Sequence, residues 1–447
     1  MFEQINKTYI RIEQVEDCKV IMPFLNPVAG EVFLPGSKSI TNRALILAAL
    51  SKDWVVIQNA LVSEDTLLMV DALKNLGFFV NVDADSSTIT VKGEGGTIPN
   101  ASGVLNVGNA GTVARFLTAM LCLHPQGSYY LDGSSAMRKR PMKELLDALE
   151  SLKAVTVTYH HEVGHFPFTI QTQGLFGGEL TMDSSKSSQF LSALFLIAPL
   201  SVNPLRIRLP KEIVSRPFIQ MTLKMMKEFG YSPDFFQDVY SFLKQSPYNF
   251  SSQSYLVEPD FTAASYFFAL ALIVGGRLKF PGLPLLSSLQ GDIKFAEILQ
   301  TFGLKIKKSS VAWNLRFFGS FEENKQVFNF KEISDTFLTL AAIAPLFKKS
   351  THIYGIAHTR SQETDRMLAV AYELRKLNQE VIESQDAIII NPRPLKSASI
   401  DTHQDHRMAM SFAILGSYNL LGDGTPWISI KNPNCCSKTF PNFFDVL

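Results

Sequence analysis

A repeat hidden in the punctuation of this chain limits its fold more than any other feature. Six polar clusters each lead into a run of small and apolar residues. In the first half they are Ser37-Lys38-Ser39, Gly108-Asn109-Ala110-Gly111-Thr112 and Ser185-Lys186-Ser187-Ser188-Gln189. In the second half they are Pro259-Asp260-Phe261-Thr262, Ile333-Ser334-Asp335-Thr336 and Gln404-Asp405-His406-Arg407. Their starts fall roughly 70 to 77 residues apart, a regular period of the kind that marks a repeated structural unit. The period is longer than in solenoids, so each unit is expected to be a βα module with its own sheet. Six modules in 447 residues divide into three plus three, hence two similar domains. Each cluster opens a helix, and a helix start carries free N–H groups and the positive end of the dipole. Six such ends are expected to face one cleft between the domains.

The first cluster shows what that cleft binds. Leu34 to Arg43 runs straight into an apolar helix expected over Ala44 to Leu50, with Pro35 and Gly36 breaking the extended run before it. Lys38 and Arg43 add two charges near a helix start, which makes a phosphate or carboxylate pocket; an ordinary N-cap with solvated cations is the alternative. A nucleotide-binding P-loop is excluded by order, because Ser37 separates Gly36 from Lys38. The clusters also differ in sign. The first half gathers Lys38, Arg43, Arg115, Arg138, Arg140 and Lys186, whereas the second brings Asp335 and Glu363 together with Arg366, Arg407 and Lys438. A cleft that binds anions and moves a proton needs both kinds.

Between the clusters the chain alternates strands and helices. Thr88–Val91, Val155–Thr158 and Ala387–Ile390 are compact β-branched runs, and Asp65 to Leu76 and Glu363 to Leu377 carry apolar residues at spacings of three and four. Residues 1–30 are expected to form an extension leading into one or two strands. A net charge of +1 leaves no global field to draw the chain to nucleic acid or membrane. No apolar run is long enough to span a bilayer, and Glu3, Glu13, Glu16 and Asp17 argue against a leader peptide. Cys18 and Cys122 stand alone and Cys435-Cys436 are adjacent, which gives no disulfide framework or zinc spacing and suits a reducing cytoplasm. Cys122, among apolar neighbours, is expected to be a buried structural thiol.

Seven segments carry a resemblance. Leu34–Arg43, Gly108–Thr112, Met137–Pro141, Ser187–Gln189, Glu363–Arg366, Asp405–Met410 and Lys438–Pro441 resemble, in order, the signatures of the 5-enolpyruvylshikimate-3-phosphate synthase family. The resemblance covers about residue 31 to the C-terminus. It implies an α/β fold, the two-domain inside-out barrel of the enolpyruvyl transferases, each domain three βαβαββ units, joined by a double crossover. It places an inserted domain at 37–258 with the shikimate-phosphate site and a discontinuous domain at 1–36 plus 259–447 with the carboxylates, the active site lying between. The implied reaction transfers enolpyruvyl from phosphoenolpyruvate to the 5-hydroxyl of shikimate 3-phosphate by addition and elimination, on the shikimate pathway to chorismate and the aromatic amino acids. No metal or organic cofactor, nucleic acid or membrane is implied, and the enzyme is expected to be a cytoplasmic monomer.

The same resemblance implies residue roles. Lys38, Asp335 and Glu363 correspond to catalytic groups. Lys38, Ser39, Arg43, Ser187, Ser188, Gln189, Ser215 and Asp335 correspond to the shikimate 3-phosphate site. Lys38, Asn109, Gly111, Arg140, Gln189, Arg366, Arg407 and Lys438 correspond to the phosphoenolpyruvate cage, which in relatives also holds glyphosate. Asp335 is alternatively only the N-cap of Thr336 to Leu346. Asp405 and His406 are expected to brace Arg407, and Arg138 to be a solvated neighbour of Arg140. The chain departs from the family pattern at Gln362 (usually lysine), Phe116 (often proline) and His358 (asparagine in several relatives). Gln362 leaves the implied cage one cation short. A UDP-N-acetylglucosamine enolpyruvyl transferase is the nearest alternative, but the loop Gly133 to Pro141 lacks the cysteine common there. A non-catalytic shikimate-phosphate-binding relative is a second, favoured by Gln362 alone.

Overall fold

The computed structural model describes residues 17–183, 187–209, 215–252, 254–284, 288–321 and 326–447. Glu3, Glu13, Glu16, Ser185 and Lys186 lie outside the described residues. Each of the six polar clusters opens a helix: Lys38–Ala49, Gly111–Leu121, Ser188–Ile197, Phe261–Val274, Phe337–Ile343 and His406–Gly416. Three of the starts are capped by a side chain of their own cluster. Asp260 accepts from the N–H groups of Thr262 (2.7 Å) and Ala263 (3.0 Å), Asp405 from Arg407 N–H, and Ser187 from Gln189 N–H. Ala110 is extended without a side-chain cap, which leaves the Gly111 end open.

These helices are apolar all round and therefore buried all round. Among the thirteen buried residues of Phe261–Val274 are Phe261, Phe267, Phe268 and Leu272. Sheets cover them on the outside, with strands such as Thr88–Lys92 alternating inward apolar and outward polar residues. Five of the six sheets repeat one order. In Ser254–Leu256, Trp54–Gln58, Thr88–Lys92 and Val80–Asp83 the first pair is parallel and the next two antiparallel. The same pattern recurs in the sheets built on Ser128–Asp132, Leu205–Arg208, Gly276–Pro281 and Thr351–Tyr354. The sixth has three strands, Ala398–Ile400, Ile428–Lys431 and Cys18–Ile21.

Two apolar cores result. One runs from Ile40 to Val257, and the other joins Ile21 to Leu34 with Phe261 to Phe443. The chain passes between them twice, and the passages are clamped to each other. Ser37 N–H donates to Glu258 O and Asp260 N–H to Pro35 O, both at 2.9 Å. Gly36 is required there by close approach, since a Cβ would fall 1.9 Å from the Asn59 carbonyl oxygen.

Three expected boundaries move. The first helix begins at Lys38, not Ala44, so Lys38 and Arg43 project from its first two turns. The helix expected from Glu363 begins at Arg366 with Asp365 as its cap, which leaves Glu363 on the preceding turn. Asp335 is not a cap: it sits inside a short 3-10 turn, Ser334–Thr336, and its carboxylate bonds to side chains.

Candidate active site

The six helix starts converge on one cleft of about 1040 Å³ and its continuation. Lys38, Ser39 and Arg43 enter from the first helix, Gly111 and Arg115 from the second, and Ser187 to Gln189 from the third. Ser334, Asp335 and Arg407 enter from the other half, and Asp260 and Thr262 line the adjoining recess with Lys38 and Arg407. Gly111 matters by absence of a side chain, because a Cβ there would meet Arg140 Nη2 at 2.7 Å.

The expected carboxylates lie among the expected cations. Arg366 is buried and forked across three acids: Nε to Asp405 Oδ2 at 2.7 Å, Nη1 to Asp335 Oδ1 at 3.1 Å and Nη2 to Glu363 Oε2 at 2.9 Å. Arg407 Nη2 reaches Asp335 Oδ2 at 2.8 Å. Glu363 Oε1 also lies 3.4 Å from Lys438 Nζ and 3.9 Å from Arg140 Nη1. Burial pushes the Glu363 carboxyl up, but Arg366, Lys438, Arg140 and Lys38 outweigh it and hold it well below the usual range. Asp335 is likewise lowered, burial being overcome by Arg407 and Arg366.

The first half supplies cations of another kind. Arg43 is 1% exposed, donating to Thr222 Oγ1 (2.8 Å), Ser39 O (2.9 Å), Ser192 Oγ and Phe218 O, with Phe116 and Phe218 against its plane. Among the described residues no carboxylate pairs with it, and burial pulls its guanidinium down to about 9. Phe116, the departure noted above, is thus the cation's apolar wall.

Several expectations are refined. Asn109 contributes its carbonyl, which accepts from Lys438 Nζ (2.7 Å) and Arg140 Nη1 (3.4 Å). Asp405 braces the side chain of Arg366 and the main chain of Arg407, while the Arg407 guanidinium goes to Asp335. His406 is fully buried with no hydrogen-bond partner at either ring nitrogen among the described residues, Nδ1 lying 3.6 Å from Asp405 Oδ1, and burial lowers it well below the ordinary histidine range. Arg138 pairs with Asp132 at the surface, and Cys122 is buried. Gln362 faces the cleft with its amide oxygen accepting from Arg366 Nη1. His358 Nε2 lies 2.8 Å from Ser334 Oγ and 3.4 Å from Ser215 Oγ. Ser215 stands in the left-handed region at φ 50°.

Sequence reasoning counted Arg115 among the first-half cations without giving it a role in the site, and gave Asp65 and Asp292 none. Arg115 was visible as a cation four residues beyond Gly111, one helical turn. Asp292 had no signal, since only folding brings its carboxylate to Thr262 Oγ1, where burial and Asp335 push it up to about 7.

The fold is that of the enolpyruvyl transferases. It superposes with a TM-score of 0.75 on an EPSP synthase from Acinetobacter baumannii, 21% identical, covering 96% of this chain and 97% of that one. It superposes with a TM-score of 0.73 on the enolpyruvyl transferase NikO from Streptomyces tendae, 14% identical, covering 97% of each chain. At the level of sequence, residues 24–447 match the family described as EPSP synthase (3-phosphoshikimate 1-carboxyvinyltransferase). A 3-phosphoshikimate 1-carboxyvinyltransferase of Opitutus terrae is 48% identical over 435 residues, 96% of this chain and 97% of that protein. One of Marinomonas is 39% identical over 429 residues, 94% of this chain and 97% of that protein. The chain belongs to the EPSP synthase family.

Proposed function

We propose that this protein is a 3-phosphoshikimate 1-carboxyvinyltransferase, moving the enolpyruvyl group of phosphoenolpyruvate to the 5-hydroxyl of shikimate 3-phosphate with release of phosphate. The observation that carries the reading is the cleft itself. Family membership supplies the reaction, and one cavity holds both unneutralised cations and a carboxylate pair locked onto arginines. In this reading Arg43, Ser187, Ser188, Gln189 and Ser215 hold shikimate 3-phosphate, and Arg140, Arg366, Arg407 and Lys438 hold phosphoenolpyruvate.

The charge balance accounts for a proton moving twice. Glu363 is the counter-ion of Arg366, Lys438 and Arg140. The phosphate and carboxylate of phosphoenolpyruvate compete for those cations. Each cation they take releases its hold on the Glu363 proton affinity, which raises it toward that of a general acid. Glu363 then delivers a proton to the methylene carbon as the 5-hydroxyl, relieved of its proton at Asp335 or Lys38, bonds to the enol carbon. The tetrahedral intermediate loses phosphate when the same groups act in the opposite sense.

The division of the chain at 36/37 and 258/259 is part of the proposal. The clamped crossovers and the two cores on either side support it. A monomeric enzyme is part of the same proposal. Among the described residues no helix is long and apolar enough to cross a membrane, and a cytoplasmic location is the corresponding proposal. Phosphate release measured with shikimate 3-phosphate and phosphoenolpyruvate, against UDP-N-acetylglucosamine as rival acceptor, tests the reading. Turnover with the first acceptor alone is expected, and preference for the second overturns it.

A further inference from the structure

Asp65 belongs to none of the six clusters. It stands in the first turn of the helix Glu64–Asn75, where an acid ordinarily complements the dipole from the surface. Here its side chain is only 2% exposed and points into the molecule. Oδ2 lies 3.0 Å from Lys38 Nζ, and Oδ1 lies 3.8 Å from Lys438 Nζ. The two lysines come from opposite halves of the chain. Ser437 Oγ donates to the neighbouring Glu64 at 3.3 Å, so this one helical turn touches the Lys438 segment at two points. A buried carboxylate paired with the lysines of an anion-binding cleft works against anion affinity, and it needs a compensating role in geometry or charge.

We propose that Asp65 is a positioning residue of the transfer reaction, holding Lys38 and Lys438 on one carboxylate at a set separation before the anionic substrate takes them over. The inference rests on the reading of the site given above. It assigns a division of labour between the two acids that meet these lysines. Glu363, 3.4 Å from Lys438, exchanges protons; Asp65, within 3.0 Å of Lys38 and 3.8 Å of Lys438, keeps them aimed. Loss of Asp65 removes aim and a repelling charge together, so turnover and anion affinity are expected to move in opposite directions.

The full-length protein carrying Asp65→Asn, which keeps shape and removes charge, separates this role from packing. Turnover is expected to fall about 10²-fold, the loss typical of a reacting group misplaced by about 1 Å. The KM for phosphoenolpyruvate is expected to stay level or drop, and inorganic phosphate followed by calorimetry to bind more tightly. Asp65→Glu should restore part of the turnover. Turnover within about threefold of the parent overturns the proposal, as does a KM that rises in step with a lowered melting temperature. If the parent itself releases no phosphate from its two substrates, the reading of the site has failed. The phosphate affinities of parent and Asp65→Asn then still decide Asp65, equal or weaker binding by the variant overturning the inference.

Discussion

The two halves of the molecule bury arginine in opposite ways. In the half running from Lys38 to Glu258, Arg43 is enclosed by hydroxyls, carbonyls and two phenyl rings, and its charge has no carboxylate partner among the described residues. In the other half Arg366 is equally buried, yet three carboxylates surround it and hold its proton affinity above the ordinary range against burial. A buried charge without its counter-ion is expensive. In the proposed reading the first half supplies an anion site, and the second a proton-handling site whose carboxylates are already paired with cations. Binding in the first should stabilise the fold by mass action, while in the second the substrate must displace carboxylates that are already seated.

The largest effect that separates the halves belongs to the carboxylates. Asp335→Ala or Glu363→Ala should lower turnover by roughly 10²–10⁴-fold while substrate KM values change little. A variant with near-normal turnover removes that acid from the proton-handling side. Next comes Arg43→Met, which keeps apolar bulk and deletes the waiting cation. A charge-assisted bond is worth about 1.5–3 kcal/mol, so the KM for shikimate 3-phosphate should rise about 10–100-fold with saturated turnover largely kept. Shikimate 3-phosphate should raise the melting temperature of the parent and leave the variant's almost unmoved. A turnover loss without a KM change would merge the two halves' roles.

Gln362→Lys sharpens the contrast from within the second half. The lysine adds a cation beside Arg366 and should tighten glyphosate by about 1–2 kcal/mol, measured as inhibition constants at matched phosphoenolpyruvate saturation. It also removes the amide oxygen that receives Arg366 Nη1. Weaker inhibition would therefore show that holding Arg366 matters more than adding charge.

The smallest effect concerns the frame of the second half. Glu373, fully buried, accepts from Lys376, from Asp401 N–H and from His403, whose ring edge also meets Tyr372. The bond to Glu373 raises the His403 proton affinity despite its partial burial. Its stabilisation is complete below the unfolded histidine value of 6.5 and fades as pH rises through the folded one. His403→Gln should accordingly lower the melting temperature more at pH 5.5 than at pH 8.5. At a half-exposed site the difference should amount to under about 1 kcal/mol.

Repetition of the polar clusters made the architecture legible before any coordinates. Apolar, small-residue helices after each cluster can only be buried, and β-branched runs between them must cover them, so three-plus-three sheets around central helices follow from pattern and period. The clusters also disclosed which side chains meet, because a residue at the start of a buried helix has one place to face. Lys38, Gly111, Ser188, Asp335 and Arg407 all came from that logic.

Pairing was a different matter. That Asp335 bonds Arg366 and Arg407 and caps nothing, that Asp405 grips Arg366, and that Asp65 lies between Lys38 and Lys438 depend on contacts between residues 27 to 373 positions apart. Local sequence carries propensity and periodicity, which act over a few turns. It does not carry the distance between two helix ends brought together by a double crossover. An acid in the first turn of a helix reads the same whether it faces water or two lysines. The closing of one half on the other made Asp65 the latter, because a carboxylate sealed from solvent must find its cations inside the protein.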